Sequence, residues 1–179
     1  MTEQGYHFEF VGVDTHASDE YQKDSLVYRF ESLKSHHHYM VRIERYVKDL
    51  HCVKFFDETT DEGKGDFSHL SSTYEPRAIF RTVVNIALEV FRNNPKASFM
   101  YIGAADKKDG KNKPTRRYRV YQMYMMDYDI HDWFEPADFV SHSMSLLINK
   151  TAMPTEEERL RFMRRIAAFA GIESQTGKQ

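Results

Sequence analysis

Three short runs of alternating residues, set almost end to end, constrain this chain more than any other feature. Tyr28 and Phe30 alternate with Arg29 and Glu31, and Tyr39, Val41 and Ile43 alternate with Met40, Arg42 and Glu44. In a third run, His51–Phe56, Val53 and Phe55 share a face. A period of two belongs to half-buried strands. Links this short join antiparallel neighbours, because a parallel return needs a crossover of about a dozen residues or more. The chain therefore opens on a predicted antiparallel meander whose apolar face something must cover.

The cover is predicted in the next segment. Ser72-Thr73-Tyr74-Glu75 has the spacing of a capping box, with Pro76 in the first turn of the helix it starts. Ile79, Val83, Ile86 and Val90 make one stripe, with Phe80, Val84, Ala87 and Phe91 beside it. An apolar arc this wide predicts a central, well-buried helix, ended by Asn93-Asn94-Pro95.

Ala97–Ile102 follows as a predicted interior strand beside the meander, stopping at Gly103. Tyr118, Tyr121, Met125 and Tyr128 then fall at helical spacing, so residues 115–128 are read as a helix, with a strand as the alternative because tyrosine favours strands. Pro136 restricts the Trp133–Val140 segment to an edge strand or irregular chain. Met144–Ile148 is a further strand. Thr155 and Glu158 cap a last helix, three glutamates sit at its positive end, and Gly171 is suited to its C-terminal turn. Ahead of the meander, Phe8–Val13 is either an edge strand or a lead-in.

The order β-β-β-α-β-α-β-β-α predicts an α+β fold, a mostly antiparallel sheet with helices packed on one face. One domain is expected over residues 1–172, with 173–179 a frayed polar tail. The net charge is −2, so no global field directs the chain to nucleic acid or membrane. No apolar stretch approaches the roughly 20 residues of a membrane helix, and Met-Thr-Glu-Gln-Gly-Tyr-His lacks the basic start and apolar run of a secretion signal. Cys52 is the only cysteine, which suits a reducing compartment, and the cytoplasm is expected.

The candidate site runs from Gly103 to Tyr121. A strand ends in glycine, a loop carries Lys107, Lys108, Lys111 and Lys113, and a helix opens with Arg116, Arg117 and Arg119. Amides at a helix start attract anions, and guanidinium forks match phosphate oxygens. Tyr118 and Tyr121 offer rings for stacking bases. The competing explanation is a solvated basic loop balanced by the acidic stretch 57–66.

The apolar helix, the strand ending at Gly103 and Thr115-Arg116-Arg117 with Tyr118 or Tyr121 resemble small uncharacterised bacterial proteins over about residues 25–130. The resemblance implies a bacterial or mobile-element setting and carries no activity.

Other clusters lack a decisive spacing. His36 and His38 would share a face on a strand, with His51 as a conceivable third ligand, but a polar turn between strands is the favoured reading and no paired-cysteine or HExxH motif supports zinc. Asp127, Asp129, His131 and Asp132 lack the calcium-loop pattern and read as an acidic loop. Cys52 reads as a buried structural thiol.

The leading expectation is a small binding module for a phosphate-bearing ligand, nucleic acid or nucleotide, held by Arg116, Arg117, Arg119, Lys111 and Lys113. The alternative is an accessory or antitoxin-like protein, or a homo-oligomer, using the aromatic and Met-rich segment 118–134. A weaker third is a metal-free enzyme with His69, His131 or His142 as acid–base. No cofactor signature, metal set or membrane partner is assigned.

Overall fold

A computed structural model describes residues 4–59, 75–105, 109–110 and 113–172. The meander forms as its periodicity requires. Strands β2 (Gln22–Glu31), β3 (His38–Tyr46) and β4 (Leu50–Asp57) pair antiparallel, with Tyr28 opposite Val41 and Ile43 opposite Val53. The segment left open at the start is strand β1 (Phe8–Asp14), paired with β2 at the sheet edge and bulged between Phe10 and Gly12.

Helix α1 (Pro76–Asn93) leads to β5 (Ser98–Ile102), which lies parallel to β4. Helix α2 (Arg116–Met125) precedes β6 (Phe134–Phe139) and β7 (Met144–Asn149). The sheet runs β1-β2-β3-β4-β5-β7-β6 and is antiparallel at every pairing except β4–β5. With α3 (Glu156–Phe169) the fold is α+β, and residues 115–128 resolve in favour of a helix. Pro136 sits where its chemistry allows, in the outermost strand.

Two expectations change. The first helix begins at Pro76, in the first-turn position that needs no N–H, and not at Ser72. Ser72 and Thr73 lie outside the described residues, and Glu75 directly precedes the helix. Its buried carboxylate accepts the Ser32 hydroxyl, which Ser35 also hydrogen-bonds at 2.7 Å.

The helices also do not share one face. α1 and α2 cover Tyr28, Tyr39, Val41, Phe55, Phe99 and Leu147, whereas Phe162 and Ile166 of α3 pack with Leu50, Cys52, Met100, Leu146 and Ile148. Neighbouring residues of a strand point to opposite faces, so Leu146 and Leu147 belong to different cores. β7 is buried along its whole length, as a strand between two helical layers must be.

α3 keeps its predicted caps. Thr155 and Glu158 form the reciprocal box, and Gly171 at φ 70° lets Ile172 N–H reach the Ala167 carbonyl at 2.8 Å. No helix of the described residues is long and apolar enough to cross a membrane.

Candidate functional site

The start of α2 is fixed by a knot of short hydrogen bonds. Thr115 Oγ1 accepts Tyr118 N–H at 3.1 Å and donates to the Gly103 carbonyl at 2.8 Å. Thr115 N–H donates to Ser143 Oγ, and Gly103 N–H to the Ser143 carbonyl, both at 2.8 Å. Gly103 is required by this approach: a Cβ there would lie 2.4 Å from the backbone nitrogen of Tyr118. The strand that ends in glycine thus serves as a socket for α2.

That socket sorts the predicted phosphate ligands. Arg116 and Arg119 project outward and are exposed, as is Lys113. Arg117 is buried and turned toward the sheet. Arg116 N–H already donates to Asp109 Oδ1 at 3.0 Å, so an internal carboxylate occupies part of the helix start. Tyr118 and Tyr121 are only 3% and 8% exposed and present no open stacking face. Tyr121 instead packs on Phe80, Phe55 and Tyr101, with ring centres 5.7, 5.8 and 6.1 Å away. Lys107, Lys108 and Lys111 lie outside the described residues.

What Arg117 and Tyr121 line is a cavity. About 260 Å³ of space lies between α1, α2 and the chamber-side residues of β4, β5 and β7. Its walls are Phe55, Phe80, Phe99, Tyr121, Phe134 and Leu147, with Ala87 and Val84 of α1 closing one side. The parallel pairing of β4 and β5 ends at Val53 opposite Tyr101, and the next residues, Lys54 and Ile102, line the space. Ligands of open sheets favour this end of parallel strands. Tyr101 and Tyr121 have hydroxyls pushed up to about 12 by burial, with Arg117 pulling the other way at Tyr121. Both are therefore neutral hydrogen-bonding groups at pH 7.

A second, polar groove shares five walls with this chamber: Tyr101, Met125, Tyr128, Ile130 and Leu147. Asp138 of β6 lies directly opposite Ser145 of β7, and the Ser145 hydroxyl donates to its carboxylate. Gln122 Nε2 donates to Asp138 at 2.7 Å and to the Tyr118 hydroxyl at 2.8 Å. Burial raises the Tyr118 hydroxyl, and the Asp138 charge adds to that shift. Asp127, Asp129 and His131 also line the groove. Sequence reasoning missed Gln122, Asp138 and Ser145. The available signal was Phe134, Pro136 and Asp138 at period two, which aims a carboxylate at the same face as a buried phenylalanine.

The remaining candidates stay apart. β3 begins at His38, while His36 lies in the preceding turn at φ 57°, so the two do not share a strand face as the alternation suggested. His36 pairs with Glu31 at 2.9 Å and His37 with buried Asp57 at 2.6 Å. His51 is buried against Phe99, its Nδ1 2.9 Å from the Asp49 carbonyl, and burial lowers its pKa. Among the described residues no three His, Cys, Asp or Glu side chains converge as a metal-holding group. Cys52 is a buried thiol pushed up to about 12 by burial. His69 lies outside the described residues, and His142 sits in the turn before β7, its Nδ1 3.0 Å from Ser141 Oγ.

No protein-family model, curated protein or solved structure matches the chain.

Proposed function

We propose that this protein is a small-molecule-binding module whose site is the chamber beneath α1 and α2 together with the adjoining groove. The apolar cavity of about 260 Å³ carries the reading. Its size is just below the usual range for ligand pockets, and a mostly apolar wall with a few placed polar groups is their usual construction. An apolar ligand gains by leaving water, and the walls gain contacts that empty space denies them. The functional class stays that of a binding module, with its ligand moved from the basic surface to the interior.

Calorimetric titration with 4-phenylbutan-1-ol tests this. Saturable 1:1 binding is expected, and Ala87→Phe, which places a ring in the chamber, should abolish it while the protein stays folded. Absence of binding, or binding unchanged in Ala87→Phe, would overturn the proposal.

A second reading keeps the phosphate-bearing ligand, nucleotide or nucleic acid, on the outer surface of α2. It is supported by exposed Lys113, Arg116 and Arg119, for which no acidic side chain lies within ion-pair distance among the described residues. It predicts salt-sensitive binding of a short oligonucleotide that Arg116→Ala with Arg119→Ala removes.

A further inference from the structure

Resting on the reading of chamber and groove as one site, we infer that its ligand is an amphiphile with an apolar or aromatic body and a protonated amine head. The body belongs in the chamber, where almost every wall is hydrocarbon. The head cannot follow it there. An ammonium enclosed by hydrocarbon would lose its hydration, and none of the described residues of the chamber wall is a carboxylate that could replace it. The shared walls place the groove next to the chamber, within reach of a polar end.

There the head meets Asp138. Ser145 and Gln122 both donate to this carboxylate and hold it in place. Neither neutralises it, and among the described residues no lysine or arginine lies within ion-pair distance of Asp138 or Asp129. The nearby cations are otherwise engaged: Arg77 reaches Asp127 at 3.8 Å, and Arg81 lies 5.8 Å from the Tyr128 ring centre. An ammonium group supplies three donors and the missing positive charge, and the Tyr101 ring on the shared wall offers it a π face. A carboxylate head would face Asp138 and Asp129 as a like charge, and an alcohol would donate one hydrogen bond without bringing the positive charge.

Three probes with one carbon skeleton separate these cases: 4-phenylbutylamine, 4-phenylbutan-1-ol and 4-phenylbutanoate, titrated into the whole protein at pH 7. The amine is expected to bind about two- to fivefold more tightly than the alcohol, since an ion pair with the exposed Asp138 carboxylate adds only modestly to a hydrogen bond, and the carboxylate more weakly than either. Asp138→Asn should remove the amine's advantage, so that amine and alcohol bind the variant equally. A cooperative denaturant transition shows that the variant is folded. Equal binding of all three, or tightest binding of the carboxylate, would overturn the amine head and leave the chamber standing. No binding by any of the three would overturn the chamber itself. An amine preference that survives Asp138→Asn would overturn the role given to Asp138.

Discussion

The two faces of the sheet draw on the same strands and are packed to different ends. On one side Leu50, Cys52, Met100, Met144, Leu146 and Ile148 meet Phe162 and Ile166 of α3. Flexible and branched aliphatic chains make up most of that cluster, with Phe169 of α3 meeting Tyr46 and Tyr21 edge-on. On the other side rings meet rings: Phe55 on Tyr121 at 44°, Phe91 on Phe134 at 54°, Phe99 on Phe134 at 70°. Phe80 on Tyr121 is stacked at 28°, and offset, tilted and edge-on pairs are the arrangements that aromatic rings prefer. That face encloses the cavity.

Truncation on the filled face should have the largest effect. Leu146 is fully buried, and Leu146→Ala should cost about 2–5 kcal/mol in a denaturant titration while leaving alcohol binding in the chamber unchanged. Gly103→Ala comes next, at about 1–3 kcal/mol, because its Cβ would meet the backbone of Tyr118 and push α2 from its socket. Unlike Leu146→Ala it should also weaken chamber binding, since Arg117, Tyr121 and Met125 of α2 line the cavity.

A pH titration sharpens the contrast. His51 lies on the chamber face, against Phe99, and burial holds its pKa below the ordinary 6.5. The unfolded chain therefore takes up the proton first as pH falls, and stability drops below about pH 6.5. Denaturant midpoints at pH 7.5 and 5.5 should show this loss, and His51→Gln should reduce it. The smallest effect on stability is expected from Ala87→Phe, within about 1 kcal/mol, although it fills the chamber.

Local chemistry made much of the fold legible. The alternation at Tyr28, Phe30, Tyr39, Val41 and Ile43 located the meander, and Thr155, Glu158 and Gly171 located both ends of α3. Which side of the sheet α3 covers was not legible, because an amphipathic stripe shows that a helix buries a face without naming its partner. The run Met144–Ile148 identifies a strand without showing that both of its faces are buried. The insertion of β7 between β5 and β6 is a long-range pairing, and Asp138 and Ser145 become neighbours only through it. At α2 the basic residues were visible, but the turn of the helix separates them, with Arg117, Tyr118 and Tyr121 inside and Arg116 and Arg119 outside.

A crystal of the protein pressurised with xenon tests the central claim most directly, since a dry apolar cavity takes up xenon where a filled core does not. The account predicts xenon density among Phe80, Tyr121, Phe134 and Leu147, and none between the sheet and α3. A chamber closed by its own side chains, with no xenon in it, would contradict the account.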